Sequence, residues 1–443
     1  MKIKRESSRI VKPIYEGDHP PTTLHIPLTV FDKATYNAHV AIIYGYRPPT
    51  PPNAAIERGL RKVLSEYREW AGRLGVADEK GRRRPVILLN DGGIKFVEAS
   101  VDCTLDQAIM PFKPSPMLLN FHPSLKGVEE LVQVQLTRFT CGSLVIGFTA
   151  HHLVADGHST SNFLVAWSQV CRGIDMNPCP FHNRSIFAPR ELPILEFEHR
   201  GVEFTSKKLS KVFPLFEQSQ VITEDIVVHK VHFTLEFLAN LKARASSSHG
   251  TNKLYSTFES LAAHLWRTIT TARGLNGFEI TQVRISVNGR GRLNLNPCVP
   301  NEYFGNLVLW AFPSAKVEDL LSEPLPFATK IIHDSIAKVN GNYFKSFIDF
   351  ASYKVDEEGL VPTADMNKSV LCPNLEVDSW LRFPFYDLDL GGGSPFMFMP
   401  SFFPTEGMMF LLPSFIRDGS IDAFIPLFQQ NLVAFKQICY SLD

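Results

Sequence analysis

The chain has 443 residues, 45 Lys and Arg against 45 Asp and Glu, and 44% hydrophobic residues. This length predicts two or three domains rather than one small core, and the composition is that of a folded globular protein. Because the formal net charge is zero, the sequence argues against a protein that binds the phosphate backbone of nucleic acids, which needs a basic face.

Neither a targeting segment nor a metal cluster is evident in the sequence. The first residues, MKIKRESSRIVKPIY, are charged, and no run approaches the roughly 18 apolar residues that span a bilayer. The seven cysteines are scattered without a CxxC pair, which fits neither a disulfide framework nor a zinc site. We therefore expect a cytoplasmic monomer with reduced, mostly packed thiols, and without a metal, a cofactor, or a nucleic acid or membrane partner.

Hydrophobic periodicity predicts the first elements. Apolar residues at helical spacing predict a helix over residues 56–70. In LVQVQLTRF, Val132, Val134 and Leu136 alternate with polar residues, as in a strand with one face in water. Residues 144–149, LVIGFT, are continuously apolar, which is typical of a central strand covered on both faces.

A polar turn, a helix and a long connection follow that strand. After Asp156 and Gly157, apolar residues return at helical spacing, and Ser159 or Thr160 is placed to cap the first turn. Residues 173–222 contain several prolines and little periodicity, so we interpret them as a crossover between two halves.

The pattern after the crossover is again mixed α/β. Residues 226–233 predict a strand, Thr234 caps a helix that runs to about residue 245, and a further helix contains Phe258 to Ile269. The predicted division of the chain is an N-terminal domain (1–175), a crossover linker (176–222) and a C-terminal domain (223–443).

One motif places a histidine and a carboxylate at the end of the predicted buried strand. In HHLVADG, His152 and Asp156 are four residues apart. Imidazole is the side chain best suited to take a proton near pH 7, and a nearby carboxylate can hold the loop or the ring in place. The pattern indicates a general base, and its structural alternative is a packed, hydrogen-bonded histidine.

A second motif, DLGGGSP, begins at Asp389. Its three consecutive glycines are typical of backbone that turns sharply or lies against another group. A nucleotide-binding loop is disfavoured because neither GxGxxG nor GK[ST] follows a strand, and a plain loop is the simplest alternative.

Together the two motifs resemble the HxxxDG and DFGWGKP pair of the plant BAHD acyl-CoA-dependent acyltransferases. The resemblance is closest to the branch that transfers hydroxycinnamoyl groups to agmatine or putrescine, where a glycine, here Gly392, likewise replaces the tryptophan of the second motif. It covers nearly the whole chain through AHHLVADG, NLEVDSWLRFPFYDLDLGGGSP, WAGRL (70–74), STFESLAAHLWR (256–267), NGRGRL (288–293), YFGN (303–306), FKSFIDFA (344–351) and DSWLR (378–382).

The resemblance implies two chloramphenicol-acetyltransferase-like α/β domains joined by a crossover, with an active-site channel at their interface. Acyl-CoA would enter one mouth and the acceptor the other. In the family pattern His152 is the general base and the indole N–H of Trp380 helps to stabilise the oxyanion. Asp156 points away from the substrate and pairs with an arginine, which we take to be Arg290.

Further site residues follow from the same resemblance. The chain departs from the family pattern at Asn288, Leu390 and Ser394, which replace an aspartate, a phenylalanine and a basic residue and leave the contacts to the CoA phosphates open. The remaining implied positions are structural ones at Tyr303, Gly305, Asn306, Asp389, Gly391 and Gly393, and CoA-binding ones at Ser256, Thr257 and Ser394.

An amine acceptor arrives largely protonated, so we expect a carboxylate where it binds. If residues 376 to 380 are extended, Glu376, Asp378 and Trp380 share one face, and both acids accompany the tryptophan. An exposed acidic pair on a strand is the alternative reading. Asp32 and Asp349 are further candidates of lower rank.

We expect direct attack of the amine on the thioester in a ternary complex. A covalent acyl-enzyme would need an activated Ser or Cys, and Cys141 lies too far back on its strand. Three alternatives stay open: an alcohol acceptor on the same fold, favoured if the Glu376 and Asp378 face is paired with arginine; a condensation-type domain acting on carrier-protein thioesters; and a binding protein in which His152 is only structural.

Overall fold

The computed structural model describes residues 2–79, 81–124, 127–206, 225–247, 254–293, 295, 298–364 and 368–442. Both of its compact units are mixed α/β, as the sequence predicts. The first unit comprises Met1–Ala188, Cys298–Leu307 and Phe383–Phe402, and the second comprises Pro189–Pro297, Val308–Arg382 and Phe403–Asp443.

The strands of the described residues are, in chain order, β1 (Ile3–Val11), β2 (His25–Pro27), β3 (His39–Tyr46), β4 (Arg73–Glu79), β5 (Arg82–Leu88), β6 (Ile94–Val101), β7 (Val132–Phe139), β8 (Leu144–His151), β9 (Phe204–Ser206), β10 (Ile226–Phe233), β11 (Ile280–Asn288), β12 (Val308–Ala311), β13 (Ser314–Lys316), β14 (Leu360–Pro362), β15 (Leu375–Ser379), β16 (Met397–Pro400), β17 (Met408–Pro413) and β18 (Ile421–Phe428).

The α-helices of the same residues are α1 (Val30–Ala34), α2 (Asn53–Glu66), α3 (Leu105–Ile109), α4 (Gly157–Cys171), α5 (Leu235–Ser246), α6 (Thr257–Arg273), α7 (Val317–Ser322), α8 (Leu325–Lys338), α9 (Gly341–Glu358) and α10 (Gln429–Ile438). The helix predicted over 56–70 is α2, which begins and ends earlier, whereas β10, α5 and α6 lie where the sequence predicts them. Among the described residues, no helix combines the length and the apolar character needed to cross a membrane.

The first unit is built on a six-stranded sheet of order β1-β6-β7-β8-β3-β16. β8 is buried along its whole length, which confirms the prediction from its apolar run. On one face, Phe148 of β8 packs against Phe163 of α4 with ring centroids 6.0 Å apart. β8 therefore runs through the core as far as His151, and packing on both faces of the strand fixes the position from which His152 follows.

The prediction that β7 has one face in water is wrong, because Gln133 and Gln135 are both buried. Residues 116–124 cover that face. The amide nitrogen Nε2 of Gln135 donates to the carbonyl of Asn120 at 3.0 Å. This covering segment lies so close that a Cβ atom at Gly147 of β8 would come within 2.0 Å of the Phe121 carbonyl oxygen.

The second unit is built on a sheet of order β10-β18-β17-β15-β11-β12, with β13 paired to β11. β15 lies between two parallel neighbours, β11 and β17, so the strand that carries both candidate acids is central. Helix α6 packs against α5, α8 and α10. Within the predicted crossover, β9 pairs with β14, and residues 207–222 lie outside the described residues.

The compact units differ from the predicted division at residues 175 and 223, which assumes domains continuous in sequence. β16 pairs antiparallel with β3, Met397 opposite Gly45, so the sheet hydrogen bonds bring the segment with the second motif into the first unit. Residues 298–307 return to the same unit. Periodicity cannot reveal such returns, because it reports local structure and not strand partners.

All seven cysteines are free in the structure, and their reduced state stays a prediction. Three of them, Cys141, Cys179 and Cys298, are exposed, so they are less packed than the sequence suggests.

Candidate active site

The first motif begins at the end of β8 with His151, and the half-buried His152 follows directly. The backbone N–H of His152 donates to the Ala38 carbonyl at 2.9 Å, and its own carbonyl accepts from Nδ2 of Asn306 at 2.9 Å. The ring nitrogen Nδ1 lies 3.1 Å from the hydroxyl oxygen of Thr35, and the ring meets that of Tyr36 edge to face at 6.0 Å. Both the backbone and the ring of His152 are therefore held in place.

Burial lowers the pKa of His152 below its ordinary value, although the negative charge of Asp156 opposes this shift. The imidazole is consequently neutral at pH 7. In the tautomer whose Nδ1–H donates to the Thr35 hydroxyl, Nε2 keeps a lone pair for proton transfer, which is the chemistry of a general base.

Asp156 is the N-cap of α4 and is 2% exposed. Its Oδ1 accepts from the backbone N–H of Ser159 at 2.9 Å and its Oδ2 accepts from that of Leu307 at 2.9 Å. The prediction that Ser159 or Thr160 caps this helix is therefore wrong, because the carboxylate already takes the orphan donor of the first turn. These contacts agree with a structural role for Asp156.

Arg290 lies in the second unit, after β11, and is buried. Its backbone N–H donates to Oδ1 of Asn288 at 2.9 Å, and its Nη1 lies 3.3 Å from the same oxygen. Asn288, which replaces the aspartate of the family pattern, thus binds Arg290 through its side-chain oxygen. The pairing of Arg290 with Asp156 stays a prediction.

The second motif is folded around one carboxylate oxygen. Oδ1 of Asp389 accepts from the backbone N–H groups of Gly391 at 2.8 Å, Gly392 at 3.1 Å and Gly393 at 2.8 Å. Partial burial opposes ionisation, yet these three donors hold the pKa of Asp389 below its ordinary value. Gly391 and Gly393 have φ of +108° and +102°, which other residues rarely adopt, so glycine is required at both positions.

Gly392 occupies the position of the family tryptophan, and backbone fills the space around it. A Cβ atom there would lie 2.2 Å from the carbonyl oxygen of Pro49 and 3.3 Å from Cδ of Pro51. In the first unit it is therefore the backbone of Pro49, and not another ring, that lies closest to this position.

Gly392→Ala is therefore expected to lower the free energy of unfolding by about 1–3 kcal/mol, because overpacking against backbone forces the loop to shift. Urea unfolding of the variant and the wild type measures this change. Gly277→Ala is the matched control, since a Cβ there meets Cβ of Glu318 at an ordinary 3.4 Å. Equal losses in both variants would show that the close approach to Pro49 carries no special cost.

The predicted CoA-binding positions are found at two separate places in the chain. Ser394 is exposed in the second motif. Ser256 is the N-cap of α6, where its hydroxyl and Glu259 form a capping box, and Thr257 is the first residue of that helix. Helix capping already explains Ser256, so the CoA contacts of these three residues stay predictions.

Both candidate acids lie on β15, and alternation places their side chains on the same face of the sheet. On that face they lie next to residues of the neighbouring strand β11. Glu376 is 5% exposed, and its Oε2 lies 3.8 Å from Nη1 of Arg284. Asp378 is half-buried, and its Oδ1 accepts from the hydroxyl of Ser286 at 2.7 Å. The Trp380 ring follows on this face and meets Phe410, the β17 residue opposite Asp378, at 5.3 Å.

The two acids differ in electrostatics. Burial, and then the neighbouring charge of Glu376, raise the pKa of Asp378 to about 7. Arg284 lies within 4 Å of Glu376 and opposes the shift of Asp378 only weakly. Asp378 is therefore a carboxyl that gains strongly from a cation brought to it, whereas Glu376 already has one.

The two candidates of lower rank are both engaged in buried ion pairs. Asp32 is fully buried and pairs with Arg184. Asp349 is 1% exposed and pairs with Arg190 at 2.7 Å. Neither carboxylate is available to an acceptor.

Thr35 is the site residue that the sequence analysis missed. It follows the short helix α1 and lies 117 residues before the histidine that it contacts. No local pattern links the two, because the contact is made by sheet pairing, with β3 beside β8.

Three comparisons relate these features to known proteins. The family model described as the Transferase family matches residues 1–442. The chain is 51% identical over 450 residues to putrescine hydroxycinnamoyltransferase 3 of Oryza sativa subsp. japonica, and 51% identical over 449 residues to agmatine coumaroyltransferase-1 of Hordeum vulgare. Each match covers 100% of both proteins.

Among solved structures, the crystal structure of vinorine synthase matches with a TM-score of 0.69 at 22% identity, covering 98% of this chain and 96% of that one. At this identity the match supports the fold alone, including the two-domain α/β architecture that the motifs imply.

Proposed function

This chain belongs to the Transferase family of BAHD acyltransferases, and on that premise we propose that it transfers a hydroxycinnamoyl group from CoA to an amine such as agmatine or putrescine. The observation that carries the proposal is the full-length identity of 51% to enzymes named for transfer to these two amines. Two features of the structure support the same proposal. Both motifs are folded as described above, and Asp378, whose carboxyl favours a cation, lies two residues before Trp380.

We assign the steps of the reaction to residues as follows. The neutral amine nitrogen attacks the thioester carbonyl carbon, and Nε2 of His152 takes the proton that this nitrogen loses. The indole N–H of Trp380 stabilises the oxyanion. When the carbon–sulfur bond breaks, the proton passes from His152 to the CoA thiolate, so that an amide and free CoA leave. The thioester is already activated, and no covalent acyl-enzyme is needed.

Asp378 is assigned to the distal cation of the acceptor. Agmatine and putrescine each carry a second cationic group, and its transfer out of water costs free energy unless a carboxylate meets it. Ser286 orients the Asp378 carboxyl, while Glu376 is neutralised by Arg284. Among the described residues an arginine pairs with Glu376 and none pairs with Asp378, so the pairing that would favour an alcohol acceptor is present at only one of the two acids.

An acceptor panel tests the proposed function directly. The purified protein is incubated with p-coumaroyl-CoA and agmatine, putrescine, tryptamine or shikimate, and thiol release and product mass are followed. Transfer to agmatine or putrescine is expected to be fastest. Faster transfer to shikimate would instead establish the alcohol-acceptor function, and no transfer to any acceptor would favour a binding protein. The monomeric state and cytoplasmic location stay predictions.

The pH dependence of acceptor binding follows from the raised pKa of Asp378. Below a pKa of about 7 the carboxyl is protonated and loses its attraction for the distal cation, so the KM for agmatine is expected to be about tenfold higher at pH 6 than at pH 8. Tryptamine is the control acceptor, because it lacks the distal cation but uses the same general base. An equal pH dependence of both KM values would contradict the assignment.

A further inference from the structure

We propose that Thr35 is a positioning residue for His152: its hydroxyl accepts the Nδ1–H of the imidazole and so holds the tautomer whose Nε2 lone pair takes the proton of the amine. The inference deepens the proposed function and rests on it. It concerns a contact within the first unit, between the end of α1 and the end of β8.

The contact is fixed at both ends. Thr35 is 6% exposed and is the C-cap of α1 with an extended backbone, so its side chain lies in packed surroundings that restrict rotation of the hydroxyl. The distance of 3.1 Å between Oγ1 and Nδ1 of His152 is that of a hydrogen bond. The edge-to-face contact with Tyr36, the next residue, limits rotation of the imidazole.

α1 has only five residues and needs external support, which one buried carboxylate provides. Oδ2 of Asp32 accepts from both the backbone N–H and the hydroxyl of Thr29 at 2.8 Å, which closes the capping box of α1. Arg184 pairs with the same oxygen. The element that presents Thr35 is therefore anchored in the core rather than lying on the surface.

The same carboxylate also fixes the histidine from its other side. Oδ1 of Asp32 accepts from Nδ2 of Asn306 at 2.8 Å, and this amide nitrogen also donates to the His152 carbonyl at 2.9 Å. Asp32 thus locates Thr35 through α1 and the backbone of His152 through Asn306. The distance between the hydroxyl and Nδ1 is determined by one buried hydrogen-bond network.

The chemistry requires a particular tautomer. A neutral imidazole has one N–H and one lone pair, and only the form with the proton on Nδ1 leaves Nε2 able to act as a base. Nδ1 lies beside the Thr35 hydroxyl at the end of α1. The charges of Asp156 and Asp32, and a hydrogen bond to the carbonyl of His152 itself, all favour a proton on the imidazole and oppose the effect of burial on its pKa. A hydroxyl at this place accepts that proton without competing for Nε2.

Two substitutions separate the hydroxyl from the shape of the side chain. Thr35→Val keeps the branched shape and deletes the hydroxyl, and kcat is expected to fall about ten- to a hundredfold, as is typical when the group that orients a functional histidine is lost. The KM values for p-coumaroyl-CoA and agmatine should change much less. Thr35→Ser keeps the hydroxyl and should restore most of kcat. Thr329→Val is the matched control, because Thr329 is a buried threonine whose hydroxyl bonds to Leu325 O in the second unit.

The tautomer itself is read by ¹⁵N NMR of histidine-labelled protein at pH 8, with the His152 signals identified by their absence in His152→Ala. We expect the Nδ1–H form in the wild type and in Thr35→Ser, and a mixture of tautomers in Thr35→Val. An Nε2–H ring in the wild type, or a wild-type kcat in Thr35→Val, overturns the inference. If the wild type transfers to no acceptor, the proposed function fails, whereas the NMR result still decides whether Thr35 sets the tautomer.

Discussion

His152→Ala is expected to lower kcat for acyl transfer to agmatine by about a hundred- to ten-thousandfold while the protein stays folded. The ring is half-buried and bound through Nδ1 to Thr35, so its removal deletes a proton acceptor and leaves the backbone contacts of His152 to Ala38 and Asn306 intact. Single-turnover measurement of amide formation, with circular dichroism as the check on folding, gives the result.

The control is a histidine of the same region that the proposed mechanism does not use. His158 lies in the first turn of α4, where Nε2 is 2.9 Å from the Asn301 carbonyl. His158→Ala should keep kcat within about twofold to threefold of the wild type, as is common for a substitution away from the reacting groups. A folded His152→Ala protein with wild-type kcat would remove His152 from the mechanism and leave it a packed histidine.

Asp378→Asn is expected to raise the KM for agmatine or putrescine about ten- to a hundredfold and to leave the KM for p-coumaroyl-CoA nearly unchanged. The amide keeps the size and the hydrogen bond with Ser286 but deletes the charge, and a charge-assisted hydrogen bond contributes about 1.5–3 kcal/mol. The same substitution should abolish the difference between the KM values at pH 6 and pH 8. Steady-state kinetics at both pH values measure both effects.

Tryptamine and Glu376→Gln sharpen this test. Tryptamine has no distal cation, so Asp378→Asn should weaken its binding less than that of a diamine. Glu376 is already paired with Arg284, so Glu376→Gln should affect the KM for agmatine less than Asp378→Asn does. Equal weakening of both acceptor types would mean that Asp378 positions the strand or the reacting nitrogen, and no weakening would transfer the role to Glu376 and favour an alcohol acceptor.

Hydrophobic patterns in the sequence predicted those strands and helices whose own apolar side chains determine which of their faces is buried. The apolar run of β8 and the helical spacing of α6 were sufficient, since each lies in the core by virtue of its own side chains. The motifs likewise located His152 and Asp389, because a histidine spaced four residues from a carboxylate and a run of three glycines are both visible in the sequence.

Apart from the cap of α4, where the true cap Asp156 lies close to Ser159 and Thr160 in the chain, the wrong or missing predictions concern contacts with residues that are distant in sequence. Gln135 is polar and buried because residues 116–124 cover it, and nothing within β7 indicates that cover. The contact of Thr35 with His152 and the approach of Pro49 to Gly392 both depend on which strands are neighbours. A single sequence constrains local conformation strongly and these pairings only weakly.

The interleaved path of the chain has a consequence for biosynthesis. Domains usually fold as they leave the ribosome, N-terminal parts first. Here the first sheet cannot be completed until β16 has been made, some 350 residues after its partner β3, and His152 lacks the Asn306 amide until residue 306 emerges. The nascent first unit therefore presents β3 as an unprotected sheet edge for most of translation, so an N-terminal fragment that stops before β16 leaves a strand edge open to aggregation.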